Sequence, residues 1–190
     1  SELRRMPLII DRINKVRLFR LNSRSQGTVD LAQQPTKFHV TNVLQSTYLL
    51  IPRVSSERRE WVPIGFMKPQ DLCSDATIVM PNATLYHFGV LTSSAHMCWM
   101  RTVAGRLKSD YRYSKDIVYN NFPWPGKTEE TVARIEKTAQ AILDARANYP
   151  DRSYADLYDP LFMPPDLRKA HTANDKAVWE AYGKAWPLDD

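Results

Sequence analysis

Cations and planar side chains are interleaved through GRLKSDYRYSKD and on through YSKDIVYNNFPWP (113–125). Arg106, Lys108, Arg112 and Lys115 supply the charges, Tyr111, Tyr113, Tyr119 and Phe122 the rings, and Asn120 and Asn121 two adjacent amides. Cations hold phosphates and planar side chains lie against sugars or bases, so this mixture suits a nucleic acid. A second basic cluster is PRVSSERRE (52–60), where Arg53, Arg58 and Arg59 flank Ser55 and Ser56. An Arg fork fits two phosphate oxygens or guanine O6 and N7, and Ser adds a phosphate contact. The competing reading of that cluster is an exposed hairpin in which Arg58 and Arg59 pair with Glu57 and Glu60. Between the clusters, Lys68, Asp75, Thr77 and Asn82 offer short polar groups for base edges, Asn to adenine and Asp to cytosine N4. The same residue types are also common in turns. Arg101 joins the cationic set from the end of a predicted helix.

Catalytic chemistry is much harder to find. The six glycines form neither GxGxxG nor GxxxxGK[ST]. There is no Asn-Pro-Pro-aromatic or Pro-Cys methyl-transfer motif. The Pro-Asp pairs Pro150–Asp151 and Pro165–Asp166 are not followed by the (Asp/Glu)-x-Lys of a nuclease. His87 and His96 are nine residues apart, whereas a shared metal face on a helix needs i and i+4. His39 and His171 lie in other elements, so a metal role for any of the four has little support. Cys73 and Cys98 have no CxxC partner and read as small apolar fillers. No base accompanies the hydroxyls of Ser55, Ser56, Thr92, Ser93 and Ser94, so serine-hydrolase chemistry is unsupported. The expectation is a binding chain with no metal and no cofactor of its own.

The 190 residues are 43% hydrophobic and 25% charged, with a mean hydropathy of −0.45, which fits a globular chain with a real core. No apolar run approaches a membrane span and no secretory signal is present, so the expectation is a cytoplasmic protein without a membrane partner. Two cysteines with no CxxC spacing argue against a disulfide framework or structural zinc. Residues 1–125 carry 17 Lys and Arg against 9 Asp and Glu, a balance of +8, while 126–190 carry 9 against 12, a balance of −3. The polyanion-facing part is therefore expected in the first stretch.

These groups need elements to hold them. Pro7 to about Leu21 reads as a helix with Ile9, Ile13 and Val16 at helical spacing, an amphipathic helix packed on a sheet ahead of one lying along DNA. Lys37–Val40, Thr47–Ile51, Trp61–Met67 and Ala76–Met80 read as short strands. The segment 85–107 reads as one long helix stopped near Gly105. Beyond the FPWPG break, helices are expected from Thr128 to about Asn148 and from Pro164–Pro165 to Gly183. The fold class is α+β: a small mixed or antiparallel sheet with a long helix packed on it, followed by a C-terminal helical subdomain. Residues 1–125 and 126–190 are the expected domains. Beginning at Ser1 in charged residues, the chain reads as a piece of something longer.

Long ordered strings now carry a resemblance. IPRVSSERREWVPIGF (51–66), PNATLYHFGVLTSSAHMCWMRTVAGRLKSDYRYSKDIVYNNFPWP (81–125), DLYDPLFMPPDLRKAHTANDKAVWEAYG (156–183) and, more weakly, RLNSRSQGTVDLAQQPTKF (20–38) resemble the C-terminal part of the MmeI-like family. These are restriction-modification enzymes that fuse an adenine-N6 DNA methyltransferase to an endonuclease. The resemblance implies that 1–125 is a target recognition domain for double-stranded DNA and that 126–190 is the family's C-terminal helical domain. It also implies a parent enzyme whose other segments bind S-adenosylmethionine and Mg, with the methyltransferase catalytic domain of the same polypeptide as a partner. Base-reading positions vary within the family and are not carried over. From the residues alone, Lys68, Asp75, Thr77 and Asn82 are assigned to bases. Arg53, Ser55, Ser56, Arg58, Arg59, Arg101, Arg106, Lys108, Arg112 and Lys115 are assigned to the backbone. Two alternatives stay open: a non-specific RNA or single-strand binder stacking bases on the aromatic strand, and a protein-interaction module using Trp99, Trp124, Trp179 and Trp186.

Overall fold

A computed structural model describes residues 5–39 and 43–186. The chain divides into two compact units, residues 1–43 and 44–190. In the first, α1 (Pro7–Leu21) opens with proline in its first turn, and α2 (Gln26–Asp30) runs into a 3-10 turn at Leu31–Gln33. The amphipathic expectation fails for α1: none of its residues is buried, and Leu8, Leu18 and Phe19 are exposed. What organises the unit is Arg20. Its guanidinium donates to the carbonyls of Leu31 (3.0 Å), Gln34 (2.9 Å) and Lys37 (2.6 Å). Lys37–His39, whose first carbonyl is one of these acceptors, is irregular rather than the expected strand; Val40 lies outside the described residues.

The second unit holds two three-stranded antiparallel sheets. One has β1 (Tyr48–Pro52) between β3 (Gly65–Met67) and β4 (Thr77–Pro81); the other has β6 (Asp110–Arg112) between β2 (Val54–Ser55) and β5 (Gly105–Leu107). Only the last three residues of the expected Trp61–Met67 strand pair. Trp61, Val62 and Ile64 instead fill the core from an irregular backbone. The expected long helix is two helices, α3 (Leu85–Leu91) and α4 (Ser94–Val103). Ser93 breaks it, its Oγ accepting from His96 N at 3.3 Å as an N-cap, while Thr92 Oγ1 donates to the Val62 carbonyl at 3.3 Å. Gly105 does not stop a helix; it starts β5.

The C-terminal helices match their expected extents closely. Thr128 and Thr131 cap α5 (Glu129–Ala147) reciprocally, at 3.2 and 2.9 Å. A short α6 (Tyr154–Leu157), capped by Ser153, precedes α7 (Pro165–Ala181). One hydrophobic cluster takes in Leu49 and Ile51 of β1, Phe88 and Leu91 of α3, Met100 of α4, Ile142 of α5 and Leu167 of α7. Sheet and C-terminal helices therefore share a core.

Gly89 is what lets α3 approach α5 and α7. A Cβ there would lie 2.7 Å from Ile135 Cγ2, 3.0 Å from Asn174 Oδ1 and 3.1 Å from Ala139 Cβ. The close approach also allows Asn174 Nδ2 to donate to the Gly89 carbonyl at 2.8 Å. Gly89→Ala is expected to destabilise the chain by about 1–3 kcal/mol through overpacking, despite alanine's better helix propensity. Urea unfolding of the two proteins measures it, and equal midpoints would show that the helices slide apart freely.

Candidate nucleic-acid interface

The two sheets meet at Arg53, the single residue between β1 and β2. Its N–H donates to the Ala76 carbonyl (3.0 Å) and its own carbonyl accepts from Tyr113 N (2.8 Å). Beside this seam lies an open groove of about 650 Å³ lined by Arg53, Thr77, Arg112, Ser114, Lys115 and Ile117, among others. Four residues singled out in sequence, Arg53, Thr77, Arg112 and Lys115, thus come together from three separate segments. Strand alternation decides which side chains face out. Arg112, opposite Val54 and Gly105, is exposed, while Tyr111 and Tyr113 on either side are 6% and 2% exposed. With Phe122 also buried, three of the four rings expected to stack on bases belong to the core. After β6, Ser114 opens a π-helical turn at Lys115–Tyr119, its Oγ accepting from Ile117 N at 3.4 Å. Trp99 Nε1 ties that turn down through the Val118 carbonyl at 2.9 Å.

The second basic cluster resolves differently from a self-paired hairpin. Glu57 pairs with Arg106 at 3.7 Å and Glu60 with Arg168 at 2.7 Å, so among the described residues neither Arg58 nor Arg59 meets a carboxylate. Arg106 is more committed than expected: it also donates to the Ser109 carbonyl (2.8 Å) and stacks 3.8 Å over the Tyr111 ring. Arg101 Nη2 donates to the Arg59 carbonyl at 3.3 Å. Lys108 stands exposed on the β5–β6 turn with φ 57°, in the left-handed region that glycine enters at less cost. Lys115 pairs with Asp116 at 3.2 Å, but both are well exposed and the pair is weak in water. Ser55 must be withdrawn from the phosphate-contact set: it is 2% exposed, with its hydroxyl turned into the protein. Ser56 Oγ accepts from Arg58 N at 3.4 Å, a turn-making bond.

The four base-reading candidates do not form one patch. Met67 and Pro81 both register with Tyr48, so Lys68 and Asn82 lie at one end of the sheet. Thr77 registers with Pro52 at the other end, about 13 Å away along β1, and Asp75 precedes it in the same loop. Only the Asp75–Thr77 end adjoins the cationic groove. Asn82 has a backbone reason for its identity, since its φ is 58° and Asn tolerates that conformation. Lys68 N donates to Asp71 Oδ2 at 3.0 Å, and Thr77 Oγ1 to the Ser74 carbonyl at 2.8 Å. Sequence reasoning missed Ser114 and Ile117 as groove walls and Arg168 as the partner of Glu60, a pairing across 108 residues that no local pattern announces.

Comparison with known proteins places this arrangement. Residues 1–126 match the family model "MmeI, target recognition domain". The chain belongs to the MmeI target recognition domain family. Residues 127–189 match "MmeI, C-terminal domain". DNA methyltransferase A of Bacillus subtilis (strain 168) is 38% identical over 182 residues, covering 96% of this chain and 21% of that protein. A solved structure of the type IIL restriction-modification enzyme MmeI in complex with DNA superposes with a TM-score of 0.90 at 50% identity, over 96% of this chain and 24% of that one. The chain thus spans about a fifth to a quarter of the relatives it matches. Among the described residues there is no helix long and apolar enough to cross a membrane, and no group of three or more His, Cys, Asp or Glu able to hold a metal ion.

Beneath the groove of this recognition domain, the inward ring of Tyr113, the residue after β6, has a buried polar partner. His96 Nε2 and Tyr113 Oη are 2.9 Å apart, and the imidazole packs edge-on against Phe122. Burial lowers the His96 pKa to about 3 and raises that of Tyr113, so both stay neutral. His171, stacked on Trp61 and bonded to Tyr158 Oη at 2.6 Å, is likewise lowered, by burial first. Because the folded pKa of His96 lies below the unfolded value near 6.5, its contribution is full above that value and is lost as pH falls toward 3. Within that window the loss approaches about 1.4 kcal/mol per pH unit. His96→Leu should lower stability at pH 7 but shallow the pH dependence between 6 and 4 by up to that amount. Urea titrations across this range check it; parallel slopes for the two proteins would mean that His96 is charged in the fold.

Proposed function

We propose that this chain is a sequence-specific double-stranded DNA recognition module, working as one part of a longer cytoplasmic polypeptide. The observation that carries the reading is the convergence of Arg53, Arg112 and Lys115 on one groove, with no carboxylate meeting Arg58 or Arg59 among the described residues. Half-identity to a protein solved in complex with DNA supports it. In this reading the five cations, helped by Arg101 and Lys108, neutralise phosphates and fix the register of the duplex. Thr77 and Asp75 meet base edges at the groove end of the sheet, with Lys68 and Asn82 serving a second contact at its far end. Methyl transfer with S-adenosylmethionine and Mg-dependent cleavage belong to other segments of that polypeptide, whose methyltransferase domain is the module's covalent partner. Target choice, rather than bond making, is the work of these residues.

Single-strand binding by base stacking is disfavoured because Tyr111, Tyr113 and Phe122 are buried. The tryptophans offered for a protein interface are also accounted for in part: Trp99, Trp124 and Trp179 pack against the core clusters.

Binding to duplex DNA across a salt series tests the reading. Arg53→Ala/Arg112→Ala and Arg58→Ala/Arg59→Ala should each lower the log–log salt slope by about two units, uniformly across sequences. Asp75→Ala should leave the slope alone and relax selectivity at one base pair by about 1–3 kcal/mol. Tighter binding to single strands than to duplex, or slopes that ignore both double substitutions, would contradict it.

A further inference from the structure

The loop Ser56–Trp61 has no regular structure, yet its two acids and its indole are each held by a side chain from elsewhere. Three residues of α7 at helical spacing, Arg168, His171 and Asp175, form one stripe against it. Arg168 Nη1 reaches both carboxylate oxygens of Glu60, at 2.8 and 2.7 Å, and its guanidinium lies 5.7 Å over the Trp61 ring. His171 stacks on Trp61 with ring centroids 4.7 Å apart, and Asp175 Oδ2 accepts from Trp61 Nε1 at 2.9 Å. The second oxygen of Asp175 accepts from Ser94 N at 2.7 Å, which ties the same stripe to the start of α4. Glu57 is drawn the opposite way, to Arg106.

This division of partners has an electrostatic consequence. Glu60 is adjacent in sequence to Arg59 and two residues from Arg58, so a free Glu60 carboxylate would compete with phosphate for both guanidiniums. Arg168 removes that competitor. We infer that Arg168 is a positioning residue for DNA binding: by engaging Glu60 from α7, it keeps Arg58 and Arg59 available to phosphates. The inference rests on the reading of the Arg58–Arg59 loop as a phosphate contact. It also gives the C-terminal helices a share in recognition through one named ion pair. That pair is 38% and 48% exposed, so its contribution to folding is small and its loss leaves the chain folded.

Duplex binding by the full chain separates the outcomes. Arg168→Met should weaken binding about fivefold at 0.15 M salt and lower the salt slope by about one unit, the signature of one lost phosphate contact. Adding Glu60→Gln should bring affinity and slope back to wild-type values or above, because the competing acid is gone although the tether is not rebuilt. Without DNA, Arg168→Met should slow phenylglyoxal modification of Arg58 and Arg59, and Glu60→Gln should restore it. Unchanged binding and modification in Arg168→Met would overturn the inference. So would a double variant as weak as Arg168→Met, which would mean that Arg168 touches DNA itself or acts only by holding the loop. If Arg58→Ala/Arg59→Ala leaves binding intact, the reading of the loop as a phosphate contact falls first. If that pair weakens binding while Arg168→Met does not, only the role of Arg168 falls.

Discussion

The peptide groups on either side of Arg53 are both consumed, one by the approach to β4 and one by the end of β6. With only one residue between β1 and β2, the chain passes from one sheet to the other without a loop, and the main chain of Arg53 bonds to the approach to β4 on one side and to the residue after β6 on the other. The groove therefore has walls set by backbone geometry rather than by side-chain adjustment. Period-two alternation then does the sorting, sending Tyr111 and Tyr113 into the core and Arg112 outward. Buried rings under exposed cations make the groove a positively charged concavity.

The same constraint explains what could be read from the residues and what could not. The ends of α5 and α7 follow from local chemistry, the Thr128–Thr131 exchange and the proline at the first turn, and these are short-range signals. The strands β1 and β4 were visible as apolar, β-branched runs, and the cations of the groove were visible as types. The burial of the rings was not, because alternating Tyr and Arg is equally consistent with a stacking platform; which face is the core depends on His96, Phe122 and Trp99 arriving from other segments. Ser93 shows a different limit. Its capping side chain divides what reads as one amphipathic helix, and the Thr-Ser-Ser triplet was the available signal. Asn82 and Lys108 illustrate residues chosen for base or phosphate chemistry on type alone that the backbone also holds at positive φ.

Long-range polar contacts bind the α7 stripe to the rest of the second unit. Asp175 joins Trp61 to the start of α4, Asn174 reaches the Gly89 carbonyl, and Trp179 Nε1 donates to Ser94 Oγ at 3.0 Å. Arg146 of α5 donates to the Ile64 carbonyl at 2.7 Å and to Tyr158. The buried ones, to Trp61, Gly89, Ile64 and Tyr158, replace lost water contacts, so removing one partner leaves the other unsatisfied. The C-terminal helices are thereby fixed to the rest of the second unit by directional bonds as well as by apolar burial. A basic face in one stretch of sequence can depend on a mildly acidic stretch that follows it.

Arginine footprinting with a dicarbonyl reagent, read residue by residue by mass spectrometry with and without duplex DNA, tests the central claim most directly. The account predicts that DNA slows modification of Arg53, Arg58, Arg59 and Arg112, while Arg134 and Arg152 on the C-terminal helical stretch react at unchanged rates. Protection confined to the latter two, or absent from Arg53 and Arg112, would show that the duplex lies on another face and that the groove is not the interface.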